Sequence, residues 1–133
     1  MMVVDASALV TILLREPGWE RFMQAILGAG GGLISPVNAW ETHIRTTAFK
    51  DEAGRAEAEN LMNDLRLIVA PIDAEQTKIA TEARLRFGRK ILNMGDCFAY
   101  ALAKAHGDGA LLYKGDDFTR TDILSALPAL PTA

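Results

Sequence analysis

Five acidic residues lie where the sequence pattern predicts strand ends or the first turns of helices: Asp5, Glu41, Asp96, Asp116 and Asp117. Oxygen ligands without histidine or cysteine favour Mg²⁺ or Mn²⁺ over zinc. Several carboxylates placed close together repel each other unless a cation lies among them. Such a cation can acidify a water molecule and stabilise charge on a phosphoryl oxygen. The reaction that best uses these acids is therefore hydrolysis of a phosphodiester.

The acids are carried by short apolar segments that alternate with helical ones. Apolar runs predict strands at residues 2–4, 33–34, 67–70 and 110–113, and the segment 123–133 allows a last strand. Helical patterns occupy residues 8–14, 19–27, 56–65, 74–87 and 96–105, and a further helix begins at Pro36 and is interrupted at Gly54. This alternation predicts one α/β domain over residues 1–133, with a parallel sheet between helices.

Ligands of such sheets bind outside the carboxyl ends of the strands, and this rule locates the acids. Asp5 directly follows the first strand, and Asp116 and Asp117 follow the strand at 110–113 by three and four residues. Asp96 begins a helix whose N-terminus should point to the same edge. Glu41 lies in the second turn of the helix that begins at Pro36. We therefore expect acids from four segments to meet at one edge of the sheet.

Each aspartate also has an ordinary structural explanation. A lone Asp5 after a strand is typical of a turn or a helix cap. Asp96 in the first turn of a helix interacts favourably with the helix dipole, by about 0.3–1 kcal/mol. Asp116 and Asp117 before an aromatic residue fit a solvated turn. These alternatives weaken if the acids converge, because repulsion between neighbouring carboxylates must then be balanced.

Glu41 is harder to explain structurally. It shares a predicted helical stripe with Val37, Ile44 and Ala48, where an unpaired carboxylate is costly. The best structural alternative is a salt bridge to Arg45, four residues further along the helix.

Composition excludes several classes of protein. A chain of 133 residues that is 50% hydrophobic and 23% charged is typical of one folded domain. The apolar runs are too short to span a membrane, and the N-terminus does not resemble a signal peptide. The single Cys97 excludes an internal disulfide and suits the reducing cytoplasm. A net charge of −3 means that contact with nucleic acid requires a local basic patch.

Three stretches of the chain resemble a known family. Residues 3–10, VVDASALV, are similar to the first strand and acidic position of PIN-domain proteins. Residues 95–103, GDCFAYALA, followed by residues 111–118, LLYKGDDF, resemble the VapC toxins of bacterial type II toxin–antitoxin modules. Order and spacing agree along nearly the whole chain, including the segment from Ser35 to Glu41 that carries the second acid.

The resemblance implies a fold, an activity and partners. The fold is a PIN-like α/β/α sandwich whose central parallel sheet has four to five short strands. The activity is that of an endoribonuclease that depends on Mg²⁺ or Mn²⁺. The partners are RNA and a VapB-type antitoxin that neutralises the toxin.

The resemblance also assigns site residues. Asp5, Glu41 and Asp96 match the first three acidic positions of the family, and either Asp116 or Asp117 is the fourth. We favour Asp117, because Phe118 behind it can anchor the loop.

The metal and its supporting residues follow from the same resemblance. Asp5 and Asp96 are expected to contact the metal most directly. Ser7 matches a small hydroxyl residue that supports the first aspartate, although it also fits an ordinary helix cap.

The densest basic run contains Arg84, Arg86, Arg89 and Lys90. It fits either a charged helix end or a track of phosphate contacts that leads RNA to the acidic edge. Lys114 fits the same role closer to the acids.

The first helices contain more large apolar side chains than one core needs: Trp19, Phe22, Met23, Trp40 and Phe49. Core packing accounts for most of them. A homodimer seam or an antitoxin groove can use the rest.

Two other functions are considered. A phosphoacceptor signalling domain also holds Mg²⁺ with carboxylates at strand ends, but it needs paired acids after the first strand. Here Asp5 stands alone, and the strand at 67–70 ends in Pro71 with Asp73 beyond it. A binding module that kept the PIN fold without catalysis is the second alternative.

Overall fold

The structure, a computed structural model, describes residues 1–128. Its elements are α1 (Ala6–Leu13), α2 (Trp19–Ala29), β1 (Gly32–Ile34), α3 (Pro36–Asp64), β2 (Leu67–Val69), α4 (Ala74–Phe87), α5 (Met94–His106), β3 (Ala110–Leu111) and β4 (Leu124–Ser125). The last strand allowed by the sequence is thus present, and the rest of its segment beyond residue 128 lies outside the described residues. None of the helices within residues 1–128 is long and apolar enough to cross a membrane.

The strands form one narrow parallel sheet. β1 pairs with β2, and β3 pairs with β4, both in parallel. The segment Val3–Val4 joins the two pairs, because Val3 bridges Leu33 of β1 and Val4 bridges Leu112 just after β3, again in parallel. The order across the sheet is therefore β2, β1, Val3–Val4, β3, β4. This arrangement confirms the expected parallel sheet of four to five short strands.

Alternation along the central strands divides the core into two layers. Val3 and Leu111 face α4 and α5, where they pack with residues such as Leu102. Val4 and Leu112 face the opposite layer, which α1, α2 and α3 form. Successive side chains of a strand point to opposite faces, so these short segments support helices on both sides. The α/β/α sandwich expected from the sequence is confirmed.

The buried face of α3 differs from the predicted stripe. Asn38, Thr42 and Thr46 are fully buried, whereas Ile44 is 48% exposed and Ala48 is also exposed. The hydroxyls of the two threonines donate to the carbonyls four residues earlier, at 2.8 and 2.6 Å. Because each hydroxyl is satisfied within the helix, these threonines can be buried much as valines are. The prediction that Glu41 shares an apolar, core-facing stripe is therefore wrong.

The predicted interruption at Gly54 is also wrong. The kink in α3 lies at Asp51, whose backbone has φ 52° and ψ −141°. Gly54 is buried where a Cβ would lie 2.6 Å from the carbonyl oxygen of Thr46. This glycine therefore permits a close approach of the two parts of α3 rather than ending a helix.

Candidate active site

Asp5 lies at the carboxyl end of the central segment of the sheet. Its backbone N–H donates to the carbonyl of Leu112 at 2.9 Å, which places it beside the exit of β3. Its Oδ2 atom accepts from the backbone N–H of Ser7 at 3.1 Å and from the Ser7 hydroxyl at 2.5 Å. The Ser7 hydroxyl in turn accepts from the backbone N–H of Lys114 at 3.0 Å. Ser7 thus supports Asp5 as expected, while the cap of α1 is Asp5 itself.

The order of the strands explains why a crevice forms at this point. From the central segment Val3–Val4 the chain builds β1 and β2 on one side, and it later builds β3 and β4 on the other. The strand order therefore reverses between Val3–Val4 and β3. Doubly wound sheets bind ligands at the carboxyl side of such a reversal. Asp5 occupies this position.

Asp96 reaches the same edge from the start of α5. The helix begins at Met94 with Asn93 as its cap, two residues earlier than predicted. The Asp96 backbone N–H donates to Oδ1 of Asn93 at 2.8 Å, and the Asn93 backbone N–H donates to Oδ2 of Asp96 at 3.1 Å. This reciprocal pair is a capping box, which fixes the Asp96 carboxylate at the helix N-terminus. Asp96 is only 8% exposed.

The electrostatics of Asp5 and Asp96 are influenced by burial and by the charges of neighbouring acids. Burial raises the pKa of Asp5 from 3.8 to about 6; the Ser7 hydrogen bonds oppose the rise, and the charge of Glu41 adds to it. Burial likewise raises the pKa of Asp96 from 3.8 to about 7, against the Asn93 hydrogen bond and with the charges of Asp5, Asp117 and Glu41. Like charges have such an effect only at short range. Carboxylates from four segments therefore act electrostatically on one another at this edge of the sheet.

The loop after β3 presents both candidates for the fourth acid. Asp116 and Asp117 are exposed, and the Asp116 carbonyl accepts from the backbone N–H and hydroxyl of Thr119. Phe118 is 1% exposed and packs against Tyr113 with ring centroids 5.0 Å apart, so it anchors the loop. The charge of Asp117 acts on Asp96. Asp117 therefore lies within electrostatic range of Asp96, and its role as the fourth acid stays a prediction.

A groove of about 400 Å³ opens beside this loop. Its lining consists of Lys90, Ile91, Asp116, Asp117, Thr119 and Arg120. Lys90 was predicted from the sequence as an RNA contact, whereas Arg120 was not. The signal was weak, because an arginine in a polar loop has no periodicity that indicates its direction.

Glu41 is held by an amide rather than by a cation. Nδ2 of Asn38 donates to Oε1 of Glu41 at 2.8 Å and to the Gly95 carbonyl at 3.0 Å. The ion pairs within residues 1–128 do not include the proposed Glu41–Arg45 pair. Asn38 was missed because an asparagine in a first helical turn is common near helix caps. Only its partner 57 residues away reveals its position in the site.

The predicted basic residues do not form a single track. Arg86 lies 3.6 Å from Asp122 and stacks on Phe87 at 4.7 Å, and Lys114 Nζ lies 3.2 Å from Glu16.

Arg84 lines a separate groove between α4 and α5, next to Cys97. Lys90 is the predicted cation that lines the groove beside Asp116 and Asp117. Arg84 and Arg86 therefore face different directions, because they lie two residues apart on α4, and Lys90 lies beyond the end of that helix.

The donor set suits a hard divalent cation, although the site is not a closed cage. Within residues 1–128, no group of three or more histidine, cysteine, aspartate or glutamate side chains is placed to hold a metal by itself. Mg²⁺ does not need such a group, since it commonly binds through one or two carboxylates and keeps several waters. Asp5 and Asp96, whose charges repel, are the pair that a cation would stabilise.

Comparison with known proteins adds independent findings. Residues 2–124 match the family model of the PIN domain. The chain is 39% identical over 134 residues to VapC ribonuclease Mb0640 of Mycobacterium bovis, an alignment that covers 98% of this chain and 100% of the relative. It is 36% identical to VapC ribonuclease R02377 of Rhizobium meliloti, with 92% and 99% covered.

The fold also resembles a solved structure. The crystal structure of VapC20 of Mycobacterium tuberculosis, a toxin that cleaves the sarcin–ricin loop, superposes with a TM-score of 0.73. The superposition covers 90% of this chain and 93% of that one at 13% sequence identity. At this identity the likeness supports the fold.

Stability should depend on pH and on metal. The folded protein holds protons on Asp5 and Asp96 at pH values where the unfolded chain has released them. Raising the pH from about 4 to about 7 should therefore lower the stability of the metal-free protein. Adding Mg²⁺ or Mn²⁺ above pH 7 should raise it again. Thermal denaturation across this range, after chelation and after metal is added back, measures both effects.

The matched control is Asp5→Asn, which keeps the shape of the side chain but cannot ionise. Its stability should fall less over the same pH range, and its response to metal should be smaller. The assignment would be contradicted if the wild-type melting temperature rose with pH over this range. It would also be contradicted if neither metal changed the melting temperature.

Proposed function

Because the chain belongs to the VapC ribonucleases of the PIN-domain family, we propose that it is a metal-dependent endoribonuclease and the toxin of a type II toxin–antitoxin module. The observation that carries this proposal is the convergence of carboxylates at the carboxyl edge of the sheet. The charges of Asp5, Glu41 and Asp117 all act on Asp96 there.

The residues have distinct roles in this proposal. Asp5 and Asp96 hold Mg²⁺ or Mn²⁺, because they are buried, close and fixed by hydrogen bonds from Ser7 and Asn93. The bound ion supplies Lewis-acid activation of the phosphoryl group and of the attacking water. Glu41, which lies on α3, adds a further negative charge next to the metal site.

Asp117 lines the groove and its charge acts on Asp96, so in this proposal it lies between the metal site and the RNA. Asp116, its neighbour, forms the turn with Thr119 through its backbone.

The groove beside Asp117 fits an RNA strand that passes through the site. It is an open groove, so a chain can enter and leave without a free end, as an endonuclease requires. Lys90 and Arg120 line it and can contact phosphates on either side of the scissile bond. Because the net charge is −3, these local cations matter more than overall attraction.

Exposed apolar surface supports the proposed partners. Trp40 is 59% exposed and Phe49 is 73% exposed, whereas Phe22 belongs to the core. We assign the exposed apolar residues of α3 to a homodimer seam.

A groove of about 320 Å³ between α1, α2 and α3 is lined by Trp19 and Met23 with charged residues around them, and Arg15 stacks on Trp19 at 4.1 Å. Such a groove suits an amphipathic segment of a VapB-type antitoxin. We place the toxin and its antitoxin in the cytoplasm, where the lone Cys97 stays reduced.

The fold argues against the phosphoacceptor alternative. If Val3–Val4 is counted as strand 1 and β1 to β4 as strands 2 to 5, the order across the sheet is 3-2-1-4-5. The signalling domains in question have the order 2-1-3-4-5. Asp73, the acid beyond the third strand, caps α4 by accepting from the Gln76 backbone N–H at 2.8 Å. The non-catalytic alternative is decided by the following experiment.

Purified protein should cleave RNA only when Mg²⁺ or Mn²⁺ is present. Asp5→Asn and Asp96→Asn should each reduce the rate by roughly 100-fold or more, since each removes charge from the metal site. Asp117→Asn should also reduce it, whereas Asp116→Asn, which removes the same charge one residue away, should keep most of the activity. In cells, the wild type should arrest growth, Asp96→Asn should not, and the cognate antitoxin should relieve the arrest.

Circular dichroism and thermal denaturation of each variant provide the folding control. Undiminished cleavage by folded Asp5→Asn and Asp96→Asn proteins would refute the site, and a wild type inactive with both metals would favour the binding module.

Lys90 and Arg120 should govern the salt dependence of RNA binding. In the Asp96→Asn background, which leaves RNA intact, replacing both with glutamine should reduce the slope of log affinity against log salt by about 1.4 for single-stranded RNA. Arg55→Gln is the control, because Arg55 is an exposed cation that pairs with Glu52 and Glu59 on α3. An equal change for the control would show that the groove has no special part in binding.

The α3 surface should determine the oligomeric state. Light scattering should show a dimer for the wild type and a monomer for Trp40→Glu, because a buried unpaired carboxylate is costly at an apolar seam. Leu85→Glu is the matched control, since Leu85 is an 81% exposed leucine on α4. A monomeric wild type, or dissociation by the control alone, would contradict this assignment.

A further inference from the structure

Asn38 is fully buried in the first turns of α3 and faces two acceptors. One is Oε1 of Glu41 at 2.8 Å and the other is the Gly95 carbonyl at 3.0 Å. Because neither partner can donate, the amide must present its nitrogen to them. Its Oδ1 atom is buried without a hydrogen-bond partner among the described residues. A buried acceptor without a partner is costly. The two hydrogen bonds that this asparagine donates are therefore what it contributes at this position.

Gly95 lies directly beneath the Glu41 carboxylate. A Cβ on Gly95 would lie 2.5 Å from Cδ of Glu41, far inside van der Waals contact. The backbone of Gly95 is not in the left-handed region, unlike that of Gly88 with φ 85°. Backbone conformation therefore does not require glycine here. Glycine is required because the Glu41 carboxylate occupies the space that a Cβ would need.

We propose that Asn38 and Gly95 are positioning residues that together form a seat for the Glu41 carboxylate. Asn38 holds one carboxylate oxygen and the α5 backbone at once, and Gly95 leaves the space into which the carboxylate fits. The seat fixes Glu41 of α3 relative to Asp96, which follows Gly95 in α5. This inference rests on the proposed function, because it concerns how the metal site is prepared for its ion.

Preorganisation is the physical benefit of such a seat. The side chain of a half-buried glutamate otherwise samples several rotamers, and ordering it when the ion arrives has an entropic cost. Residues that orient metal-site carboxylates commonly change metal affinity or activity by about 10- to 100-fold when they are replaced. Asn38 and Gly95 thus act through Glu41 rather than on RNA directly.

A purely structural role predicts something different for Gly95→Ala. The atoms that a new Cβ would meet belong to the far end of the flexible Glu41 side chain, which can swing away. Alanine is also the better helix former. If the glycine served only packing, the variant would keep both its stability and its activity. If it serves the seat, the variant keeps its stability and loses function.

The experiment compares Gly95→Ala with Gly28→Ala, a glycine of α2 whose Cβ would meet nothing within 4 Å. Melting temperature, Mn²⁺ affinity by calorimetry and RNA cleavage are measured for both. We expect Gly28→Ala to match the wild type in affinity and rate. Gly95→Ala should retain its melting temperature while Mn²⁺ affinity and cleavage fall by about 10- to 100-fold.

Asn38→Ala provides the second arm, with Thr46→Ala as its control. Thr46 is also fully buried and polar on the same face of α3, so it reports the effect of lost stability alone. Asn38→Ala should weaken Mn²⁺ binding and cleavage well beyond Thr46→Ala. In a Glu41→Gln background, adding Asn38→Ala or Gly95→Ala should change cleavage by no more than about 2-fold, because a residue that acts through Glu41 has little left to affect.

The outcomes separate this inference from the proposed function. A wild type that cleaves RNA, together with a Gly95→Ala variant of unchanged Mn²⁺ affinity and rate, would overturn the seat alone. The same holds if Asn38→Ala and Gly95→Ala act as strongly with Glu41→Gln as in the wild type. A wild type that binds Mn²⁺ without cleaving RNA would refute the proposed function, and the affinity of Gly95→Ala would still test the seat. A wild type that does neither would overturn both.

Discussion

Asp5 and Asp96 are held near each other in a buried part of the sheet edge, although their charges repel. Burial, with the charge of Glu41, raises the pKa of Asp5 to about 6, and burial, with the charges of Asp5, Asp117 and Glu41, raises that of Asp96 to about 7. Hydrogen bonds from Ser7 and Asn93 oppose the rise and fix both carboxylates in place. The rest of the structure has to hold this unfavourable arrangement, which the proposed cation would neutralise. The helix caps at the edge, at the starts of α1 and α5, meet that requirement.

The fold positions the two aspartates with very short strands. Val3 and Val4 make one bridge each, yet they join both halves of the sheet and contribute to both layers of the core. Asp5 therefore follows a fully buried segment of the fold. Asp5 caps α1 and Asp96 completes the capping box of α5, so each acid also stabilises the helix that positions it. The structural explanation of these two residues as caps therefore holds, and it is compatible with the metal-binding role proposed for them.

Most of the elements, and the positions of most of the acids within them, could be predicted from the sequence. Runs such as residues 2–4 and 110–113 are apolar and short, which indicates buried strands, and the helical patterns between them require parallel pairing. Asp5 and Asp96 follow from that architecture, because strand ends and helix starts meet at one edge. The α3 stripe and the interruption at Gly54 were wrong, since neither internally bonded threonines nor a close backbone approach is visible in a hydrophobic pattern.

The contacts between distant side chains come from the tertiary structure. It brings Asp117 within electrostatic range of Asp96, pairs Lys114 with Glu16, and places Asn38 between Glu41 and Gly95. The sequence located Asp5, Glu41 and Asp96 because local patterns encode where elements begin and end. It could not supply these contacts, because they depend on distances between segments far apart in the chain. Such distances are set by how the two helical layers pack across the sheet, which no local pattern records.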